Sequence, residues 1–356
     1  MKSRTAVWDP NPFNPYGSEV ARCLTGGGNS VVRVGRQGLS FAWQGVDSRW
    51  KLPAPAQGDR TFRGLLTYGF VVTWRLIQLR TLSWRPVILV TWTNSAWERL
   101  LLSALSFTGV RLVVVEHNPV ASRDNTRGFS LARLLRLRAR RLVVHSTSLR
   151  DSLSEIEPRV QSRIRVAPHP TYLAWKSAHD TVKPVGVANC GSSVLFAGSI
   201  RADKGVQYLP EVATRLQGVA CVELAVGIVP SGLLAQLTSA ANLHLVGDGR
   251  SYLPDRAFFE ALSRASVMVA PYSDVTTSGT VMMAATMAVP VVAFESEGLA
   301  RVPGRVHTVR TGNVQGLADE CAQVIRRPSP LGAETLAAYD ESAGAAWKEV
   351  ARFDKE

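Results

Sequence analysis

The chain is short of cysteine and of charge. Its 356 residues include only four cysteines, Cys23, Cys190, Cys221 and Cys321, none paired at CxxC spacing. That scatter excludes a disulfide-stapled scaffold or a clustered zinc site, and it reads as four reduced thiols in a cytoplasmic protein. Charged residues make up 19% against 46% hydrophobic, which excludes a chain held open by its own charge. No apolar run of about 7–15 residues follows Lys2 and Arg4, so no secretory leader is expected. The longest apolar stretches are 64–79, interrupted by Arg75, and 100–110, bounded by Arg99 and Arg111. Neither reaches the roughly 18–20 uncharged residues of a spanning helix. A protein lying on a membrane surface is compatible with both.

Acidic residues are scarce in one half only. Residues 1–180 hold 26 Lys+Arg against 11 Asp+Glu, whereas residues 181–356 hold 15 against 17, so the first half carries the whole excess behind the net charge of +13. Such asymmetry implies an anionic partner for the N-terminal half: nucleic acid, an anionic membrane surface or a phosphorylated acceptor. No RRM, helix-turn-helix or zinc pattern accompanies it, so nucleic acid is not expected. The segment 129–141 is basic and amphipathic, with Leu131, Leu134 and Leu135 at helical spacing beside Arg133, Arg136 and Arg140. Basic amphipathic helices lie at anionic membrane surfaces, although a core helix with a solvated basic face has the same pattern.

Short β-branched runs at 30–34, 87–91, 111–116, 141–145 and 164–167 alternate with helix-length segments at 17–24, 67–82, 95–106, 130–140 and 148–155. Such alternation predicts βαβ units on a parallel sheet. The pattern pauses over 171–193, then resumes with strands at 194–197, 220–226, 244–246, 267–270 and 291–294 and helices near 206–216, 256–263 and 280–288. The expected organisation is two Rossmann-like, doubly wound domains, 1–175 and 190–335, facing a central cleft. An amphipathic helix over about 336–356 is expected to return to the first domain. Ligands of such sheets bind beyond the carboxyl ends of the strands.

Two segments of the second half carry chemistry. In FAGSIRADKG, residues 196–205, a strand end and a glycine turn at Gly198 are followed by Arg201 and Lys204. Breaking a glycosidic bond to a diphosphate builds negative charge on the leaving phosphate, and fixed cations that stabilise it accelerate the reaction. Arg201 offers a fork of donors and Lys204 a point charge. In the segment 270–294, Thr277, Ser278 and Gly279 stand at a helix entry. Free N–H groups and the positive dipole end make that entry a phosphate site. The same residues also suit a plain N-cap.

FAGSIRADKG resembles the FxGxIRxxKG segment of bacterial GT-B glycosyltransferases of the GT4 type. APYSDVTTSGTVMMAATMAVPVVAF, residues 270–294, is similar to their donor-site segment PYxxxxxSGxxxxAxAxGxPVVA. Between the two, Tyr252 and Leu253 open a stretch that resembles the family's base-flanking segment. The resemblance implies a UDP- or GDP-sugar donor, diphosphate contacts from Gly198, Arg201, Lys204, Thr277, Ser278 and Gly279, and nucleotide contacts from Tyr252, Leu253, Tyr272 and Met283. It implies no cofactor and no required metal ion. Many GT4 members carry two glutamates eight residues apart in the donor segment. Those positions fall here on Val275 and Met283, with Asp274 adjacent, so ribose recognition must differ and the usual sign of a retaining mechanism is missing.

In the first half, the loop 8–19 contains Asn14-Pro-Tyr16, similar to the family's NPY loop beside the acceptor. Asn14, Tyr16 and Asn118 are the expected acceptor residues. His117, at a strand end where the family shows HN, is the candidate base, because its ordinary pKa lies near neutrality. Alternatively it only hydrogen-bonds the donor sugar. Asp124 is a second candidate base. His145 and His169 read as structural or cleft-lining.

The expected function is transfer of a hexosyl or hexuronosyl group from a UDP- or GDP-sugar to a membrane-associated, lipid-linked saccharide or glycolipid, peripheral on the inner face of the cell membrane, in polysaccharide or envelope synthesis. A nucleotide-sugar epimerase of the same fold, a basic nucleic-acid-binding protein and a non-catalytic transferase homologue are the alternatives.

Overall fold

The computed structural model describes residues 4–11, 13–25, 30–36, 50–52, 62–81, 86–117, 126–180, 191–273, 277–299, 301–327 and 333–353. The expected site residues Asn118 and Asp124, with Asp274 and Val275, lie outside them. Two compact units are present. One comprises residues 1–170 with 340–356, the other residues 171–339.

The first unit is built on seven parallel strands, β1 (Arg4–Asp9), β2 (Ser30–Arg36), β3 (Lys51–Leu52), β4 (Val87–Val90), β5 (Arg111–Val115), β6 (Arg141–Val144) and β7 (Ile164–Val166). Their order is β3-β2-β1-β4-β5-β6-β7. Both faces are covered, as parallel sheets require. Ala6, Trp8, Ile88 and Val90 point into one apolar cluster. Val7, Val87 and Leu89 point into the other. Helices α2 (Phe62–Arg80), α3 (Ala96–Leu105), α4 (Thr126–Arg138) and α5 (Thr147–Ile156) contribute to the first cluster. Helix α1 (Tyr16–Leu24) and the end of the last helix contribute to the second. Glu98, fully buried on α3, accepts from the Trp8 indole at 3.3 Å and from the Tyr68 hydroxyl, which ties β1, α2 and α3 together.

The basic helix expected at a membrane surface is α4, and it is a packed element. Leu135 is buried in the core. Arg136 forks onto Glu116 at 3.0 Å through both nitrogens, and Arg133 pairs with Glu157. The Arg138 guanidinium lies 3.7 Å from the Phe107 ring centroid. Arg133, Arg136 and Arg138 thus serve internal pairing, because α4 packs beside acidic and aromatic partners that the linear pattern hides.

The second unit has six parallel strands, β8 (Ser193–Gly198), β9 (Cys221–Val226), β10 (Leu243–Leu245), β11 (Val267–Ala270), β12 (Val291–Phe294) and β13 (Val306–Val309), ordered β10-β9-β8-β11-β12-β13. Its helices are α6 (Leu173–His179), α7 (Leu209–Arg215), α8 (Ser231–Ser239), α9 (Asp255–Arg264), α10 (Gly279–Thr286) and α11 (Val314–Arg326). Helix α6 stands within the stretch that reads as a pause in the sequence. Trp175 anchors it by donating to Asp255 at 2.9 Å, and His179 meets the same carboxylate at 2.9 Å. Helix α12 (Ala333–Ala351) ends in the first unit. There Arg22 of α1 binds Asp340 at 2.6 Å, and the Trp347 indole donates to the Pro168 carbonyl at 3.0 Å.

The cysteines depart from the sequence expectation at Cys221. Cys23 and Cys321 are buried free thiols, and burial pushes the Cys23 thiol up to about 12. Cys221 is disulfide-bonded, so the reading of four reduced thiols fails there. No helix among the described residues is long and apolar enough to cross a membrane.

Candidate functional site

In each sheet the strand order reverses once, between β1 and β4 in the first unit and between β8 and β11 in the second. Crevices open at the carboxyl ends of the two strands that flank such a reversal. The expected diphosphate residues gather at this place in the second unit, whereas Tyr252 and Leu253 lie beside Gly227 and Gly247, beyond the ends of β9 and β10.

The chain leaves β8 at Gly198, whose φ of +119° is a conformation that side-chain-bearing residues rarely adopt. A Cβ there would stand 3.1 Å from the Thr280 hydroxyl at the start of α10. At Gly205, φ is +68° and a Cβ would fall 1.8 Å from the Pro271 carbonyl oxygen just beyond β11. The Ser273 amide donates to the Asp203 carbonyl at 3.1 Å. The two glycine-bearing segments that are separate motifs in the sequence are therefore one knitted surface.

That surface is cationic. The Lys204 ammonium lies 3.8 Å from the centroid of the Tyr272 ring, a cation–π contact. Burial lowers the Lys204 pKa to about 8, and the nearby Arg201 charge pushes the same way. Arg201 is half exposed and holds Asp203 through two hydrogen bonds, at 3.1 and 2.6 Å. Ser278 is buried and caps α10, its hydroxyl accepting from the Val281 amide at 3.4 Å, with Thr277 one residue before it and Gly279 as first helical residue. Desolvation pushes the buried Tyr272 phenol up to about 12, against the pull of the Ser278 and Thr280 hydroxyls. Of the expected nucleotide contacts, Tyr252 is exposed while Met283 is buried on α10. Leu253 touches the position a Cβ on Gly247 would occupy, at 3.1 Å.

In the first unit, Asp9 is buried at the end of β1 and accepts from the Gly17 amide at 2.8 Å and the Asn11 amide at 3.0 Å, which fixes the loop into α1. Desolvation raises its pKa to about 6. Asn14 accepts from the Tyr16 amide at 3.0 Å, so it shapes this turn. Tyr16 sits among three imidazoles, with its ring centroid 4.8 Å from His117, 5.7 Å from His145 and 5.0 Å from His169. Carbonyl oxygens only accept, so these contacts assign the tautomers. His145 donates from Nδ1 to Ala167 at 2.9 Å, and its Nε2 then accepts from the Tyr16 hydroxyl at 3.0 Å. His117 donates from Nε2 to the Thr91 carbonyl at 3.0 Å. Burial lowers His117 to about 3 and His145 to about 4, and it depresses His169 as well. All three rings are neutral at ordinary pH. A general base works best with a pKa near the working pH, so the geometry suits His117 to hydrogen bonding rather than to proton abstraction.

In sequence, His117, His145, His169 and Tyr16 stand apart, because their convergence comes from segments distant in the chain. Asp203, the partner of Arg201, is not among the expected site residues. Asp203 lies two residues away in the same motif, which was the available signal.

Residues 191–327 match the family model described as Glycosyl transferases group 1. This segment is similar to that family. A search of curated proteins finds no match. Among solved structures, the chain is similar to a sucrose-phosphate synthase from Thermosynechococcus elongatus, with a TM-score of 0.62 at 14% identity, over 98% of this chain and 94% of that one. It is similar to a UDP-forming α,α-trehalose-phosphate synthase from Burkholderia xenovorans, with a TM-score of 0.63 at 13% identity, over 98% and 97%. The UDP-GlcNAc 2-epimerase from Methanocaldococcus jannaschii is similar at a TM-score of 0.54 and 13% identity, over 97% and 98%. These likenesses establish the GT-B fold. The group 1 segment contains every expected donor residue.

Proposed function

We propose that this protein transfers a hexosyl or hexuronosyl group from a UDP- or GDP-sugar, bound by the second unit, to a lipid-linked saccharide or glycolipid bound by the first, while resting on the inner face of the cell membrane. Support for the donor half comes from one observation. The loop bearing Arg201 and Lys204 is knitted to the segment that opens α10, which puts two cations and a helix N-terminus at the carboxyl ends of β8 and β11. A nucleoside diphosphate presents charge in pairs, and this set answers it without a metal ion. As the glycosidic bond breaks, the leaving diphosphate gains charge, and Arg201, Lys204 and the amides of Gly279 and its neighbours stabilise it. Arg201 exchanges its Asp203 partner for phosphoryl oxygens or shares itself between them.

On the acceptor side, the half-buried His117 is the group that orients a saccharide hydroxyl, with the buried Tyr16 and His145 packed against it. The basic first half supports an anionic acceptor and membrane. Transfer is tested with radiolabelled UDP- and GDP-sugars and a membrane lipid extract. Product in the lipid phase that is lost in Arg201→Ala and Lys204→Ala supports the proposal. Epimer or free sugar formed at the same rate without lipid would refute it in favour of the epimerase reading.

A further inference from the structure

Helix α2 is apolar on two opposite faces. Val72, Leu76 and Leu79 are buried in the core of the first unit. Leu66, Phe70, Trp74 and Ile77, spaced four, four and three apart and so aligned along one side of the helix, are exposed, Phe70 to 73% and Trp74 to 52%. Helix α3 extends the patch. The Trp97 indole donates to the Thr73 hydroxyl at 3.3 Å, and both Trp97 and Leu100 face solvent. A soluble helix that is apolar all round is normally buried, and a contiguous exposed apolar patch marks an interaction site.

Charge selects the occupant. From Arg60 to Trp97 the sequence has five arginines, at 60, 63, 75, 80 and 85, and no aspartate or glutamate. Exposed aromatic and aliphatic side chains on a segment rich in arginine fit the interfacial region of an anionic bilayer, where rings sit at headgroup level and each cation near the surface adds attraction. A twofold contact between copies of this chain would instead bring the same cationic stretch against itself.

We infer that the exposed α2–α3 face docks the protein onto an anionic phospholipid surface, with Phe70 and Trp74 inserted at headgroup depth. The inference rests on the membrane part of the reading above and moves its contact from α4, where Arg133, Arg136 and Arg138 have internal partners, to α2. Docking here brings the basic first unit to the lipid that carries its acceptor.

The test is cosedimentation of the full chain with phosphatidylcholine vesicles, with and without phosphatidylglycerol, for the wild type and for Phe70→Ser/Trp74→Ser. Both positions are solvent-exposed, so the variant is expected to melt at the wild-type temperature. Wild-type binding that needs phosphatidylglycerol and weakens at least about tenfold in the double variant supports the inference. Equal binding by both proteins, binding by neither, or a wild-type dimer in sedimentation velocity that the double variant converts to monomer overturns it. Melting with UDP-glucose and GDP-mannose separates the two readings. A double variant that loses vesicles but keeps donor stabilisation leaves the donor site standing. Vesicle binding without any donor effect leaves the surface standing and removes the transferase reading.

Discussion

In the proposed donor site, the Lys204 ammonium is expected to make binding dependent on pH in a definite direction. Burial and the neighbouring Arg201 lower its pKa to about 8, so the free protein carries this charge below pH 8 and loses it above. With a pKa of about 8, the charged fraction falls from roughly nine-tenths at pH 7 to roughly one-tenth at pH 9. A hydrogen bond from a charged donor to phosphate contributes about 1.5–3 kcal/mol, which is tenfold or more in affinity, so the neutral amine does not substitute for it. The apparent Kd for the donor is therefore expected to rise about tenfold from pH 7 to pH 9. Above pH 8, binding is expected to take up close to one proton, because the diphosphate restores the charge. Calorimetry in two buffers of different ionisation enthalpy measures both quantities. Lys204→Arg is the control. It keeps a cation throughout the range, so ionisation of the nucleotide itself would appear in both proteins while the lysine term would vanish. A wild-type affinity that is flat from pH 7 to 9, or a slope that survives in Lys204→Arg, would refute the reasoning.

Other outcomes follow from the same geometry. Arg201→Ala is expected to leave the melting temperature nearly unchanged, since the side chain is half exposed, while transfer falls by about 10²–10³ in kcat; equal kcat would remove it from the site. Gly205→Ala is expected to destabilise the second unit by more than about 3 kcal/mol, because its Cβ would meet backbone 1.8 Å away. Gly218→Ala, also at positive φ but with open space around it, is expected to cost only about 1 kcal/mol, and similar melting losses in the two would contradict the contact. His145 has a folded pKa of about 4 against 6.5 in the unfolded chain. The unfolded state then binds the extra proton as pH falls below 6.5, and stability drops. Relative to His145→Asn, the wild type is expected to lose about 2 kcal/mol of unfolding free energy between pH 7.5 and pH 5; parallel pH curves from urea melts would show that the ring is not buried neutral.

Buried parallel strands were the most legible part of the fold. The runs 267–270 and 291–294 are strands β11 and β12 to the residue, since both faces of such strands are apolar. Strand β13 escaped notice because its sequence, VHTV, is short, partly polar and only partly buried at the sheet edge. Helix α11 begins at an Asn313 cap followed by Gly316, and that polar, glycine-bearing start obscures the apolar stripe behind it. At the candidate site, Arg201, Lys204 and Ser278 stand out in the sequence because a glycine turn with two nearby cations and a Ser-Gly helix entry are local patterns. The ring of His117, His145 and His169 around Tyr16 was not legible, because only the parallel register of β5, β6 and β7 brings the segments that follow them together. The packing of α4 was not legible either, since Glu116 and Glu157, which pair with Arg136 and Arg133, lie elsewhere in sequence.

The central claim is that a nucleotide-sugar binds the second unit through Arg201 and Lys204. Thermal melting of the full chain against a panel of UDP- and GDP-sugars tests it most directly. One nucleotide series is expected to stabilise the wild type, by about 2.7 kcal/mol at a hundred times its Kd, and to leave Arg201→Ala/Lys204→Ala unshifted. No stabilisation by either series, or equal stabilisation of the double variant, would contradict the account.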